Sequence, residues 1–228
     1  MKPYYAPVLS LIRQRQIRTI LDAPAGTGWL AAALGSDYQV DGLDLFCQPP
    51  AHYRQFAARD LNEAIPAEWG LYDCIVTCEG IEHLLDPVMF LRSAGAHLQP
   101  NGLLIITTPN VWYPAARLQY LFRGFFPSFP NLIGKVRPGM HMHLFPWTFP
   151  QLYLVLHLLG FQRIQLHTSA WPAPKHLYEH LLAWPQQLYC RAKAKQAVDA
   201  EERAFWQMAA SPAALLARGL VVSAEKRQ

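Results

Sequence analysis

Acid is missing from the middle of this chain. From Pro87 to Tyr178 there is no Asp or Glu, while Arg92, Arg117, Arg123, Lys135, Arg137, Arg163 and Lys175 all fall there. Such a stretch carries a positive potential and suits an anionic substrate or an anionic membrane surface. The net charge is only +4, and the basic spacing and aromatic motifs of an RNA-binding module are missing, so no nucleic-acid partner is expected. Cysteine is scarce as well. The four cysteines form neither a zinc spacing nor a disulfide framework. Cys74 and Cys78 lie on one apolar strand, facing the same way and too far apart along an extended chain to bond, so reduced core thiols are expected.

Long apolar runs are lacking too. Leu152 to Phe161 is too short to span a bilayer, and Met1 to Ser10 lacks the basic start and apolar core of a signal peptide. The expectation is a cytoplasmic protein, soluble or held peripherally on the inner face of the membrane. What the chain does have is core-forming material: 228 residues, 52% apolar and 16% charged, enough for one large domain or a domain with an appendage. It shows no internal repeat.

Strand and helix patterns alternate through the first two thirds, which argues for a parallel sheet covered by helices on both faces. The predicted strands are Thr19–Asp22, Gln39–Leu45, Gln55–Arg59, Tyr72–Cys78, Leu103–Thr108, Gln162–Thr168 and Gly219–Ala224. A helix is predicted from Trp29 to Leu34. The link Cys47–Tyr53, with Pro49 and Pro50, speaks against a full crossover helix. Asp86 before Pro87 is a helix start, and Pro100-Asn101-Gly102 is a turn. Thr148 with Gln151 resembles a capping box, and Gly160 is a C-terminal stop. Pro114 to Phe126 reads as a short amphipathic helix with Leu118, Leu121, Phe122 and Phe125 on one face. Lys175 to Met208 reads as helix interrupted at Pro185.

The densest chemistry lies at Ile20 to Gly28, I-L-D-A-P-A-G-T-G. An apolar strand ends in Asp22, a tight loop with Gly26 and Gly28 follows, and a helix points its amide dipoles back at the loop. Asp44 ends the next apolar run, where an acid can accept both hydroxyls of a ribose. Gly26 to Ala31 also satisfies a dinucleotide fingerprint. In that pattern, however, the glycines follow the strand directly, whereas here Asp22 and three further residues intervene. An acid at the strand end suits a ligand with a free amino group.

Four blocks in order carry a family resemblance: L-D-A-P-A-G-T-G at Leu21–Gly28, V-D-G-L-D-L at Val40–Leu45, R-D-L-N-E-A-I-P at Arg59–Pro66, and Tyr72–Asn110 with C-E-G-I-E-H-L inside it. The chain resembles the class I S-adenosylmethionine-dependent methyltransferases, of the branch that includes the ubiquinone-biosynthesis O-methyltransferases. The resemblance implies a three-layer α/β/α fold: a doubly wound, Rossmann-like, seven-stranded and mostly parallel sheet whose last strand is antiparallel. It implies one domain over 1–228, with a lid or acceptor-site insertion at 111–147 and a helical insertion at 175–208. It implies S-adenosyl-L-methionine held by Asp22, Ala23, Pro24, Ala25, Gly26 and Gly28, with Asp44 and Leu45 at the ribose. Asp60 and Leu61 would meet the adenine edge, and Cys78 and Glu79 complete the set. The family usually has glycine where this chain has Pro24. The alternatives are a catalytically inactive cofactor-binding scaffold and a nicotinamide-dependent oxidoreductase.

Several residues read two ways. Asp60 either meets adenine or caps a turn ahead of Asn62. Glu79, Glu82 and His83 follow the fourth strand, where a carboxylate beside histidine raises imidazole basicity; His83 is either a general base or a packing residue. His141 and His143, in G-M-H-M-H-L-F, resemble half a metal site but lack a matched third ligand, so no metal is expected. Removing a proton from a phenol or alcohol acceptor suits a histidine, which makes His83 or His143 the candidate base and His141 the next. N-methylation of a neutral amine needs no strong base. The Pro114–Phe126 helix is either a lid packed on the domain or one that grips lipid.

Overall fold

The computed structural model describes residues 2–46, 51–128, 142–169, 171, 174 and 176–227. Seven strands form one sheet in the order β3-β2-β1-β4-β5-β7-β6. They are β1 (Thr19–Asp22), β2 (Gln39–Asp44), β3 (Phe56–Ala58), β4 (Tyr72–Cys78), β5 (Leu98–Pro109), β6 (Phe161–Leu166) and β7 (Gly219–Lys226). The pairs β1–β2, β1–β4, β2–β3 and β4–β5 are parallel. β7 runs antiparallel to both β5 and β6. This is the doubly wound, three-layer arrangement expected from the sequence.

Alternation along the strands decides which helices cover which face. Ile20, Cys74, Val76, Ile105 and Val221 pack against Val8 and Ile12 of α1 (Tyr5–Arg13) and Leu30, Ala31 and Leu34 of α2 (Trp29–Leu34). Their neighbours Leu21, Ile75, Leu104, Ile106 and Val222 face the other way. There they meet α3 (Pro87–Ala96) through Phe90 and Leu91, and α5 (Phe149–Leu158) through Phe149, Leu152 and Leu156. Cys74 and Cys78 share the first face, both buried and free.

The capping signals act as read. Asp86 accepts from the Met89 amide at 2.9 Å, Thr148 accepts from the Gln151 amide at 3.3 Å, and Gly160 has φ +85° just past α5. Three expectations change. β5 starts at Leu98 and carries the predicted turn as an irregularity, with Asn101 at φ +62° and a register shift opposite Tyr72 and Cys74. α4 (Pro114–Arg123) stops at Gly124, φ +74°, which leaves Phe125 and Phe126 beyond it; Leu121 and Phe122 are 71% and 78% exposed rather than packed on the domain.

The third change concerns Pro185. α6 (Leu177–Gln196) passes straight through it, and the break comes at Ala197–Asp199, before α7 (Ala200–Ala209). A proline inside a helix frees carbonyls of the preceding turn. Here the Leu182 carbonyl accepts instead from Arg117 Nη2 of α4 at 3.2 Å. A short helix α8 (Pro212–Leu215) leads into β7.

Candidate active site

The carboxyl ends of β1, β2 and β4 form a crevice. Asp22 ends β1 fully buried. Its Oδ2 accepts from the Tyr53 hydroxyl at 2.7 Å, while Oδ1 is buried with no hydrogen-bond partner. Burial pushes this carboxyl well up; the Tyr53 hydrogen bond partly offsets that, and the nearby Asp44 charge adds to it. An unsatisfied buried carboxylate oxygen is costly unless a donor arrives to meet it.

The loop after Asp22 is fixed on both sides. The Ala23 amide donates to Val76 O of β4 at 2.9 Å and the Ala25 amide to Leu43 O of β2 at 2.9 Å. Gly26 and Gly28 have φ of +52° and +75°, and a Cβ at Gly26 would meet nothing within 4 Å. Gly26 is therefore needed for its backbone conformation, and open space lies above it. Pro24 is accommodated by Gly80: a Cβ there would overlap the proline ring.

Asp44 is buried at the end of β2. Its Oδ2 accepts from the Gly26 amide at 2.9 Å and Oδ1 from the Phe46 amide at 2.8 Å. Leu45 beside it is exposed and Leu61 is buried in the core. Asp60 Oδ1 accepts from both the backbone amide and the side chain of Asn62, at 2.9 and 2.8 Å. Asn62 Oδ1 in turn accepts from the Leu85 amide at 2.7 Å. Asp60 thus shapes the turn that ties this edge to the approach to α3.

Beyond β4 the backbone is strained. Glu79 sits at φ +53°, a conformation that favours glycine. Its amide donates to Thr107 O at 2.9 Å, and Thr107 Oγ1 donates to Glu79 Oε1 at 3.4 Å. Burial raises the Glu79 carboxyl, and Lys2 draws it back down. Cys78 is buried, which pushes its thiol well up and leaves it inert.

Glu82 is 1% exposed. Thr108 Oγ1 donates to its Oε2 at 3.0 Å, and its Oε1 lies 3.7 Å from His83 Nε2. Burial, reinforced by the Glu79 charge, pushes Glu82 up to about 8. His83 Nδ1 lies 2.8 Å from the Met142 carbonyl. A carbonyl only accepts, so Nδ1 carries the proton and Nε2 is the basic nitrogen. The Leu144 and Phe145 amides donate to Glu82 O at 2.7 and 3.2 Å. That anchors the loop bringing the His143 ring to 4.9 Å from His83, nearly perpendicular at 73°. Burial lowers His143, with His83 adding to the shift. Donor atoms of Glu82, His83 and His143 all lie within 4.8 Å of one another, a grouping different from the His141 and His143 pair that the sequence suggested. His141 lies outside the described residues.

A family model described as a methyltransferase domain matches residues 2–166. The chain belongs to the methyltransferase-domain family. It is 28% identical over 107 residues to a ubiquinone biosynthesis O-methyltransferase of Pseudomonas paraeruginosa, covering 41% of this chain and 45% of that protein. The chain thus matches less than half the length of that curated relative. Among solved structures, it resembles the putative methyltransferase complexed with the Haloferax volcanii Trm112 methyltransferase activator. The TM-score is 0.58 at 11% identity, over 99% of this chain and 91% of that one. A putative methyltransferase of Bacillus halodurans gives a TM-score of 0.57 at 14% identity, with 98% of each chain covered. These likenesses confirm the class I methyltransferase fold.

The residues at this edge of the methyltransferase domain have a chemistry that could hold S-adenosylmethionine, the methyl donor of its class. The buried, unmatched Oδ1 of Asp22 calls for a donor such as an amino group, and Gly26 opens the loop to close approach. Several residues near Asp22 and Glu79 were invisible to sequence reasoning. Tyr53 reaches Asp22 from the proline-rich link, with no pattern to mark it. Tyr4 and Tyr5 come from α1 and its cap. Tyr5 stacks on Trp29 at 3.8 Å, and Tyr4 is buried with its phenol raised by burial and by Cys78 and Glu79. The spacing of Tyr4, Val8 and Ile12, one helical turn apart, was the available signal for α1.

Proposed function

We propose that this chain methylates an oxygen of a small-molecule acceptor, with S-adenosylmethionine as donor and His83 as the general base. The observation that carries this reading is the His83–Glu82 pair beside the glycine-loop crevice: a basic Nε2 with a buried carboxylate oxygen 3.7 Å away. Asp22 would meet the amino group of the methionine part, and Asp44 with Leu45 the ribose. Asp60 and Leu61 would lie toward adenine, with Ala23, Pro24, Ala25, Gly26, Gly28, Cys78 and Glu79 lining the rest.

S-adenosylmethionine supplies an electrophilic methyl group on its sulfonium. The protein's task is then placement and proton removal. Holding reactants in line contributes roughly 7–11 kcal/mol. His83 Nε2 takes the acceptor hydroxyl's proton, and the buried Glu82 carboxyl 3.7 Å away helps to orient the ring. His143 closes the far side of the imidazole.

The curated relatives' name supports a quinone-like phenol as acceptor, with lipids and glycans as alternatives. Exposed Leu121, Phe122 and Phe125 beside Arg123 on and after α4 support peripheral attachment to an anionic membrane face. Among the described residues, no helix is long and apolar enough to cross a membrane. A second reading rests on the clustered donors of Glu82, His83 and His143, which suit a divalent cation that would orient the acceptor oxygen.

The test is calorimetry with S-adenosylhomocysteine, followed by product analysis over phenols, catechols, sugars and lipid-linked glycans. Binding together with a methylated oxygen product is expected. An empty crevice at saturating ligand would overturn the reading, and binding without turnover on any acceptor would leave an inactive scaffold.

A further inference from the structure

The insertion between β6 and β7 lines an open cavity of its own. It holds about 500 Å³ and is walled by Trp171, Pro174, His180, Trp184, Leu215 and Leu216, among others. Its place follows from the sheet register. Gly219, which opens β7, pairs with Pro109 at the end of β5, and Leu166 at the end of β6 pairs with Val222. The insertion therefore leaves and re-enters the sheet at the same edge as the crevice.

The walls are fixed before any ligand arrives. A Cβ at Gly219 would overlap the Trp171 ring, so only glycine lets this indole lie against the start of β7. Asn110, just past β5, donates from its side-chain amide to Ala214 O at 2.9 Å and Ala217 O at 2.8 Å, which sets α8 in place as a wall. Glu179 on α6 is fully buried and paired with Arg218 through both oxygens at 2.7 and 2.8 Å. Arg218 lies over the Tyr113 ring at 3.8 Å, which joins the start of α4 to the same assembly.

Trp171 also has a second neighbour. Its ring lies 5.9 Å from that of Tyr4, whose phenol is raised first by burial and then by the Cys78, Glu79 and Glu82 charges. The cavity wall thus abuts the cap of α1 at Tyr4. Neither His83 nor His143 lines the cavity, so it is placed for the remote part of the acceptor and not for the reacting atom.

We propose that this cavity is the subsite for the non-reacting end of the methyl acceptor, and that it takes a planar ring system, uncharged or anionic. This rests on the acceptor reading above and adds where the acceptor's remote part is held. The size lies within the range of small-molecule sites, and two indoles with an imidazole offer flat π surfaces. Among the described residues no carboxylate lines it, so these walls do not repel an anionic ring and give a cationic one no partner. Binding energy from such a remote contact positions the reacting oxygen at the crevice.

The probe is 2-naphthol, titrated calorimetrically into the full chain with and without saturating S-adenosylhomocysteine. One-site binding to the wild type is expected. Trp184→Ala removes a 60% exposed ring that the fold does not need and should weaken binding by about tenfold. Ala183→Phe fills the cavity and should abolish it. Both variants should bind S-adenosylhomocysteine as the wild type does. Failure of 2-naphthol to bind the wild type, or equal binding to Trp184→Ala, overturns the proposal. Failure of S-adenosylhomocysteine to bind the wild type would instead count against the cofactor crevice, and the titration without it would still decide the cavity.

Discussion

Glu82 Oε1 lies 3.7 Å from His83 Nε2, while the opposite nitrogen of the imidazole is held by the Met142 carbonyl at 2.8 Å. The acid is buried and raised to about 8. Its folded value lies above its unfolded one, so the folded protein keeps a proton that the unfolded chain has released. Stability from this group is therefore lost as pH rises from its ordinary value of 4.5 to about 8, and the penalty is complete above that. Glu82→Gln removes the ionisation. Melting curves at pH 5, 7 and 9 should show the variant gaining on the wild type as pH rises, by about 2–4 °C for each kcal/mol recovered. A constant difference across that range would contradict the buried-acid account.

The same pair sets the expected kinetics. His83→Ala should lower turnover by about 10²–10⁴-fold and leave S-adenosylhomocysteine affinity unchanged. A double variant of His83 and His143 that turned over at the wild-type rate would remove the general base altogether.

Chelation separates proton transfer from cation binding at this cluster. With His83 as base, turnover should survive exhaustive dialysis against EDTA. Loss on dialysis and recovery with Mn²⁺ would instead assign Glu82, His83 and His143 as ligands.

Asp22 holds the most exacting position in the crevice, since one of its oxygens is buried without a partner. Asp22→Ala should weaken S-adenosylmethionine binding by about 1.5–3 kcal/mol, the range for a hydrogen bond to a charged group. Tyr53→Phe should cost about 0.5–1.5 kcal/mol by freeing the carboxylate it now orients. Calorimetry on both variants measures the order, and a larger loss for Tyr53→Phe would reverse the roles.

Gly80 gives Pro24 its room. Gly80→Ala should push the loop out of place, with about 1–3 kcal/mol lost from stability and cofactor affinity falling alongside. Denaturant midpoints and calorimetry together check this; unchanged values in both would mean that the ring relaxes freely.

The parts of the fold that were legible in the sequence are those set by local chemistry. The central strands, the glycine loop and the caps at Asp86 and Thr148 depend on residues within a few positions of one another. Glu79, Glu82 and His83 were legible as a group because one short segment carries them. What was hidden depends on distance along the chain. Tyr53 reaches Asp22 across the link, and Arg117 of α4 donates to the Leu182 carbonyl of α6, one turn before Pro185. Glu82 as the companion of His143 appears only once Leu144 and Phe145 are tied to its carbonyl.

The antiparallel entry of β7 has a consequence for how such a chain can change. The whole excursion from His167 to Arg218 departs and returns on one rim of the sheet, so it can be lengthened, shortened or exchanged without shifting any pairing among β1 to β4. With the acceptor subsite proposed above, choice of acceptor and grip on the nucleoside fall in separate stretches of polypeptide. Grafting that excursion from a sister protein should therefore transfer substrate preference while the host's cofactor affinity stays as it was.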